Sequence, residues 1–136
     1  MKSLRPKVLI VDHQEEILIA FERLLEDEGF DTTTVWTGLD ALKAVCGREF
    51  DLILLAEYLP DMDAEGFMRE LRRAGRDVSC VVMQSSGTQS VKTHRLRAAG
   101  AVEVVCKRSP TKVLKTVLAH RHRRLRTNPP VKQPKR

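Results

Sequence analysis

Three chemically capable side chains each follow a short apolar run in this sequence. Asp12 follows VLIV, Ser85 is separated from CVVM by one residue, and Lys107 follows VEVVC. If these runs are parallel strands, their carboxyl ends meet at one edge of a sheet, where α/β proteins usually bind ligands. An acid, a hydroxyl and an ammonium at one edge suit an anion such as phosphate, together with a cation held by carboxylates.

A fourth apolar run ends in a residue that cannot take part in such chemistry. The strand-like segment Leu52–Leu55 continues into Ala56 and Glu57 before the loop Leu59–Asp61. A buried strand that opens into a loop containing Pro and Asp is a usual position for a functional side chain. The alanine at this position therefore needs an explanation.

Five strand-like runs alternate with five stretches of helical periodicity. The runs are KVLIVD, FDTTTVW, LILLA, VSCVVM and AVEVVC. Between and after them, apolar residues recur at spacings of three and four, which predicts amphipathic helices. Strict alternation of strand and helix predicts an α/β fold in which helices cover both faces of a parallel sheet. The polar second run is expected at an edge, and the core is predicted to contain Val8–Val11, Leu52–Leu55 and Val81–Met83.

Local signals mark several helix ends. Thr37 and Asp63 precede helical periods and are suitable N-cap residues, because their side-chain oxygens accept hydrogen bonds from free N–H groups. Gly29 is expected to end the first helix. Pro110 stands where the last helix begins, and a proline is favourable at the first helical position.

The basic residues are concentrated at the C-terminal end. The chain has 24 Lys and Arg against 18 Asp and Glu, a formal net charge of +6. Residues 120–136 contain no acid and three of the six prolines, which leaves residues 1–119 nearly neutral. We interpret 1–119 as the folded domain and 120–136 as a basic, Pro-containing extension, either a solvated end or a site for an anionic partner. Its cations are Arg121, Arg123, Arg124, Arg126, Lys132, Lys135 and Arg136.

The short apolar runs indicate a cytoplasmic protein, and the cysteines indicate thiols without a disulfide. Cys46, Cys80 and Cys106 have no C-x-x-C spacing and lie in apolar contexts, so buried reduced thiols are expected. A reactive Cys106 beside Lys107 is the alternative. No apolar run exceeds about five residues, far short of a membrane span, and the start of the chain does not resemble a signal peptide.

The ordered segments VLIVDHQEE, DLILLAEYLPDMD, VVMQSS and GAVEVVCKRSP resemble the receiver domain of two-component response regulators, from about Lys7 to about His120. The resemblance implies a flavodoxin-like (βα)5 three-layer sandwich with parallel strand order 2-1-3-4-5. It also implies a signalling module of a phosphorelay rather than an enzyme. In this family an aspartate at the end of strand 3 accepts a phosphoryl group from a histidine kinase, beside Mg²⁺ held by two acids after strand 1.

The resemblance places the family's phosphoacceptor on Ala56, four residues before Pro60. A methyl group has no oxygen to phosphorylate, so the domain resembles a degenerate receiver, or pseudo-receiver. Asp12 matches the first metal-binding acid, but His13 stands where the second belongs. Binding of Mg²⁺ is therefore expected to be weak or absent.

The other family positions are partly retained. Ser85 matches the hydroxyl and Lys107 the lysine that bind phosphoryl oxygens. The aromatic residue that changes rotamer with phosphorylation state is replaced by Val104, and the proline that usually follows the lysine is Arg108. The sequence thus combines an intact apolar framework with an incomplete site.

Three further interpretations of the site remain open. An acyl phosphate on Glu57 is disfavoured, because a step of one residue along a strand turns a side chain to the other face, which would point Glu57 away from Asp12 and Lys107. A metal centre of Asp12, His13 and Glu57 is chemically possible, since histidine binds transition metals. A partly exposed Asp12–Lys107 ion pair without chemistry is the interpretation that we favour, with His13 as a partly exposed loop residue.

Two functions of different classes follow. A receiver-like domain that is not phosphorylated would act by protein–protein interaction, through the fourth helix, fifth strand and fifth helix, the face that receivers use for output. Alternatively, the basic extension would bind nucleic acid or another anionic surface; it has no aromatic residue for base stacking, so contacts would be to phosphates. An enzyme using Ser85, Lys107 and Asp12 is the weakest hypothesis. We expect no membrane contact, and a monomer or weak dimer.

Overall fold

The computed structural model describes residues 5–85 and 90–127, apart from the side chains of residues 90, 91 and 121–127. Strands and helices alternate through the whole of this part of the chain. They are β1 (Lys7–Val11), α1 (Glu15–Asp27), β2 (Asp31–Val35), α2 (Gly38–Gly47), β3 (Leu52–Ala56), α3 (Ala64–Arg73), β4 (Ser79–Gln84), α4 (Ser90–Ala98), β5 (Ala101–Cys106) and α5 (Pro110–Thr127).

The five strands form one sheet in the order β2-β1-β3-β4-β5, and all four pairings are parallel. This confirms the predicted α/β fold and its order. The predicted core strands are buried along Val8–Val11, Leu52–Leu55 and Val81–Met83. β2 lies at an edge, as its polar sequence predicted, and its five residues are half-buried. The carboxyl ends of β1, β3 and β4 therefore open together at the centre of one edge.

Each face of the sheet is covered by its own apolar cluster. Alternate strand residues point to opposite faces, so Leu9 and Val11 belong to one cluster and Val8 and Ile10 to the other. The first cluster includes residues of α2, α3 and α4, and the second includes residues of α1 and α5. This arrangement is the predicted three-layer sandwich.

The predicted helix signals are present in the structure. The Thr37 side chain accepts a hydrogen bond from Asp40 N–H at 3.0 Å, and that of Asp63 accepts one from Gly66 N–H at 2.8 Å. Gly29 follows α1 with a φ of +92°, a left-handed conformation that favours glycine. These contacts fix where α2 and α3 begin, next to the sheet edge at which the carboxyl ends of the strands open.

The prediction that all three cysteines are buried is wrong for two of them. Only Cys80 is buried, and burial raises the pKa of its thiol to about 12. Cys46 is exposed, because it follows the inward-facing Val45 on α2 and so lies on the outer side. Cys106 is half-buried, because it ends β5 at an edge of the sheet. All three are free thiols.

The boundary predicted between residues 119 and 120 falls inside α5, whose backbone continues to Thr127. His120 is buried, so it packs with the folded body. The seven cations of the predicted anion-binding extension lie outside the described side chains, and their role stays a prediction. Among the helices of the described residues, none is long and apolar enough to span a membrane.

Candidate functional site

Asp12 lies directly after β1 and is fully buried. Its backbone N–H donates to Val35 O at 3.2 Å, which holds the β1 end against β2. Its Oδ1 accepts from Gln14 N–H at 2.8 Å, and its Oδ2 accepts from Lys107 Nζ at 2.6 Å. A buried carboxylate requires such partners, because burial of an isolated charge is costly. Both oxygens of Asp12 are therefore already engaged.

Lys107 follows β5 and reaches across the sheet edge to Asp12. Its backbone N–H donates to Gln84 O at 2.8 Å, which aligns the ends of β5 and β4. The strand order places β3 and β4 between the two residues, so the lysine side chain passes the ends of both strands. The predicted ion pair is confirmed, but its partial exposure is wrong. The side chains of Lys107 and Asp12 are only 7% and 0% exposed. The apolar stem of the lysine is buried along the ends of the strands, and its ammonium is buried with it.

Gln14 is a site residue that sequence reasoning missed. It is the N-cap residue of α1, but its side chain makes no capping hydrogen bond. Instead its Oε1 accepts from Lys107 Nζ at 3.0 Å. The available signal was a polar residue two positions after Asp12 that is a poor N-cap type. Gln14 and Asp12 together satisfy two of the three ammonium donors of Lys107.

His13 lies beside this pair without joining it. Its side chain is 49% exposed, and its Nδ1 lies 3.8 Å from Asp12 Oδ1. The partly exposed position predicted for His13 is thus present. Among the described residues, no three His, Cys, Asp or Glu side chains are arranged to hold a metal ion, so Asp12, His13 and Glu57 do not form such a group in this structure.

The donor set also does not fit Mg²⁺, the ion that the resemblance implies. Mg²⁺ prefers hard oxygen ligands in octahedral geometry. Asp12 is the one buried carboxylate in the part of the chain that the structure describes, and the ammonium of Lys107 already contacts it at 2.6 Å. His13 would present a nitrogen in place of a second carboxylate. We therefore derive no chemistry through a metal at this edge.

Ala56 is the last residue of β3, pairs with Met83 of β4 and is 1% exposed. Glu57 begins the loop, held by hydrogen bonds from Glu57 N–H to Met83 O at 2.9 Å and from Ala64 N–H to Glu57 O at 2.8 Å. The expectation that Glu57 lies apart from Lys107 needs correction, because both residues border the same cavity. β3 ends at Ala56, so the alternation of faces does not extend to residue 57.

A cavity of about 170 Å³ lies over the ends of β3 and β4. The structure thus brings together most of the predicted pocket residues, with Asp12 buried beside them; Ser85 is exposed at the rim. The lining consists of His13, Gln14, Glu57, Tyr58, Met83, Ser85 and Lys107. Its charged groups are one carboxylate and an ammonium that is already paired, so the cavity has no strong excess of positive charge.

Val104 lies on β5 opposite Val82 of β4 and is half-buried against the apolar cluster that contains Leu96 of α4. It is therefore in contact with the core beneath α4, at the position where the resemblance implies a switching aromatic ring. The branched valine side chain has restricted χ1 rotation and no polar end to exchange between water and the interior. The position is filled by packing alone.

Asp61 is a second residue whose role sequence reasoning missed. Its carboxylate accepts hydrogen bonds from Gly38 N–H and Leu39 N–H, both at 2.9 Å, at the start of α2. Slight burial raises the pKa of this carboxyl, but the hydrogen bonds from Gly38 and Leu39 outweigh that effect, so its pKa is lowered. Asp61 therefore ties the loop after β3 to α2 across 23 positions of sequence.

The comparisons with known proteins agree with this geometry. A model of the family described as "Response regulator receiver domain" matches residues 8–119. The chain is 34% identical over 128 residues to the DNA-binding response regulator MtrA of Mycolicibacterium smegmatis, covering 94% of this chain and 54% of that protein. It is 29% identical over 93 residues to the transcriptional regulatory protein PrrA of Mycobacterium tuberculosis, covering 68% of this chain and 40% of that protein. The chain thus spans about half the length of these relatives.

Solved structures share the same architecture. The Vibrio cholerae chemotaxis protein CheY4 superposes with a TM-score of 0.78 at 25% identity, covering 85% of this chain and 98% of that one. The receiver domain of the Francisella response regulator 1452 superposes with a TM-score of 0.81 at 21% identity, covering 88% and 98%. The second likeness concerns the fold alone. On the family match, the strand order and the positions of Asp12 and Lys107, this chain belongs to the response regulator receiver family.

Proposed function

We propose that this protein is a receiver domain that has lost its phosphoacceptor and signals in the cytoplasm by protein–protein interaction, without phosphorylation. One observation carries the proposal. β3 ends in Ala56, and the lysine that would face an acceptor there is instead bonded to Asp12 and Gln14. The ammonium of Lys107 is thus neutralised by Asp12, and the last residue of β3 carries no carboxylate.

Neither remaining oxygen nucleophile near Ala56 is a good replacement. Ser85 is exposed, and within the described residues no hydrogen bond links it to a base that would activate it. Glu57 lies past the end of β3 and borders a second cavity beside α4 as well as this one. With Asp12 already engaged, we propose that Mg²⁺ binds weakly or not at all, and that the domain catalyses no phosphoryl transfer.

For the partner site we propose the surface formed by α4, β5 and α5, the output face of the family. Every one of its described side chains that is both charged and exposed is a cation: Lys92, Arg95, Arg97, Lys112 and Lys115. Glu103 of β5 is paired with Arg97 and is the single acid of these three elements among the described residues. This excess of positive charge favours a partner with an acidic face. We propose a monomer or a weak dimer as the free state.

The proposal is tested with a small phosphodonor. The full-length protein is incubated with acetyl phosphate and Mg²⁺, and its intact mass is measured. We expect no added phosphoryl group. Ala56→Asp is the matched variant, because it restores a carboxylate at the β3 end; we expect it to gain at most slow phosphorylation, since His13 still occupies the position of the second acid. Stoichiometric phosphorylation of the natural chain, mapped to Glu57 or Ser85, would contradict the proposal.

Binding of an anionic surface through the basic extension is the second candidate. It is favoured by the seven Lys and Arg residues, without any acid, in residues 120–136. Phosphate-driven binding to duplex DNA predicts a logarithmic salt slope near −0.9 per contact, so about six contacts give a slope near −5. The test variant replaces the arginines at 121, 123, 124 and 126 by glutamine, with the far-ultraviolet circular dichroism spectrum as the check that the fold is unchanged. DNA affinity that does not change with salt, or in this variant, would dismiss this candidate.

A further inference from the structure

α4 is held by few apolar contacts compared with its neighbour α3. In α3, four side chains are buried: Ala64, Phe67, Met68 and Leu71. Among residues 92–98 of α4, only Leu96 is buried, and most of the others are exposed. Apolar burial is the main force that fixes a helix on a sheet. Over this part of α4, the contribution of apolar burial is small.

Three polar contacts connect α4 to the segment that starts at Tyr58. Lys92 Nζ donates to Tyr58 Oη at 2.7 Å and lies 5.2 Å from the centre of its ring. Arg95 Nη2 lies 3.1 Å from Glu65 Oε1. At the other end, Arg72 Nη2 donates to the carbonyl of Ala99, directly after α4, at 3.0 Å.

The three contacts lie along one line. On the α4 side, Lys92 and Arg95 are three positions apart, which places their side chains on one face of the helix, and Ala99 follows directly after its last residue. On the α3 side, Glu65 and Arg72 are seven residues apart, which is also one helical face. A cavity of about 70 Å³ lies between the two sides, bordered by Tyr58, Glu65, Lys92 and Arg95 among others. We call this line of contacts the polar seam.

The seam begins beside the former acceptor pocket. Tyr58 borders both the cavity over the ends of β3 and β4 and the cavity between α3 and α4. An ordinary lysine is already charged at neutral pH, and the hydrogen bond to the Tyr58 hydroxyl raises the pKa of Lys92 further. The first contact of the seam thus joins a charged ammonium to Tyr58 and involves no atom of residue 56.

We infer that the polar seam of Tyr58–Lys92, Glu65–Arg95 and Arg72–Ala99 fixes the position of α4 against α3. We also infer that the seam limits local opening of α4, and that added salt weakens this effect. The hydrogen bonds and the ion pair stabilise the position of α4, to which apolar packing contributes little. Because α4 is part of the proposed partner surface, the seam would keep that surface in a single conformation without phosphorylation. Only this last consequence rests on the proposed function.

Local opening, rather than global unfolding, is the process that such contacts control. Exposed ion pairs change the free energy of global unfolding little. A helix that opens locally does so at a much smaller free-energy cost than the whole domain, so the same contacts change its opening substantially. The readout is therefore amide hydrogen exchange of residues 92–99, compared with α3 and β4 in the same sample.

The test uses the full chain with Tyr58→Phe and Glu65→Gln combined. The first change removes the hydroxyl acceptor and keeps the ring, and the second removes the charge of the carboxylate and keeps its shape. Glu70→Gln is the matched control, because Glu70 pairs with Arg73 within α3 and, among the described residues, makes no hydrogen bond or ion pair with α4. We expect exchange in residues 92–99 to rise about three- to tenfold in the double variant. Exchange in residues 64–73 and 79–84 should stay unchanged, and the control should match the natural protein.

Salt provides an independent arm of the same experiment. Raising the ionic strength from about 0.05 M to about 0.5 M screens exposed charges. We expect it to accelerate exchange of residues 92–99 relative to α3 in the natural protein, and less in the double variant. Unchanged exchange in the double variant, or an equal rise in α3, would overturn the inference. Neither arm uses a phosphodonor or a partner, so this result is separable from that of the phosphorylation test.

Discussion

Two lysines near the sheet edge where the strands end differ in the environment of their ammonium groups. Lys107 is 7% exposed and contacts Asp12 and Gln14 within the edge. Lys92 is exposed on α4 and contacts the hydroxyl and the ring of Tyr58. A buried pair must be complete, because removal of one partner leaves an unpaired charge without water. An exposed contact can be lost at little cost to the whole domain, so its effect is local.

The largest expected effect is that of breaking the buried pair from one side. Asp12→Ala removes both the counter-charge of Lys107 and the acceptor for Gln14 N–H. We expect the free energy of unfolding to fall by about 3–5 kcal/mol, measured by urea denaturation at neutral pH. A loss below about 1 kcal/mol would mean that Lys107 finds water or another partner, and that the pair behaves as an exposed one.

Replacement of the whole pair is the control for this prediction. Asp12→Leu combined with Lys107→Met removes both charges and keeps most of the apolar volume. Substitution of a buried ion pair by apolar residues is often neutral or stabilising. The double variant should therefore recover most of the stability that Asp12→Ala loses. Failure to recover it would assign the loss to Asp12 alone, through its hydrogen bond from Gln14 N–H.

An intermediate effect is expected at Asp61, whose contacts are charged but partly open to solvent. Asp61→Ala removes the acceptor for Gly38 and Leu39 N–H at the start of α2. Loss of a helix cap of this kind costs about 1 kcal/mol. The measurement is again the urea midpoint, with an unchanged m-value. Asp61→Asn is the control, because it keeps an oxygen acceptor and removes the charge.

The same residue predicts a direction of pH dependence. The folded-state pKa of Asp61 is lowered below the ordinary aspartate value of 3.8. A depressed carboxyl pKa contributes stability that is fully present above the unfolded pKa and is lost as the pH falls through the folded pKa. The stability difference between natural protein and Asp61→Asn should therefore be constant above about pH 5 and shrink below about pH 4. A difference that grows on acidification would reverse the sign and contradict the role of the two N–H donors in lowering this pKa.

Much of the fold was predictable because its signals are local. The buried strands Val8–Val11 and Leu52–Leu55 are continuous apolar runs, and the caps Thr37 and Asp63 satisfy N–H groups within three residues. The Asp12–Lys107 pair was predictable from strand topology, because one buried ammonium at a parallel edge needs the nearest acid. The burial of this pair was not predictable, since it depends on how deeply the four-carbon side chain of Lys107 is covered by its neighbours.

The missed residues act over long sequence distances. Gln14 and Lys107 are 93 positions apart, and Asp61 lies 23 positions from Gly38. Neither Gln14 nor Asp61 belongs to a periodic pattern, and each is a common polar residue of loops and helix ends. The burial of His120 was likewise missed, because a basic run suggested solvent while α5 still packed against the sheet. Composition identifies a charged segment but not where its helix leaves the core.

The smallest expected effect is that of a single seam contact on the stability of the whole domain. Glu65→Gln removes one charge from a pair whose side chains are 69% exposed for Arg95 and 32% exposed for Glu65. We expect the free energy of unfolding to fall by less than about 0.5 kcal/mol. A double-mutant cycle with Arg95→Gln should give a coupling energy of similar size that decreases with added salt. A coupling energy near 2 kcal/mol would show that this exposed pair stabilises the whole domain about as strongly as a buried pair such as Asp12–Lys107. Exposure would then not decide whether a contact has a local or a global effect.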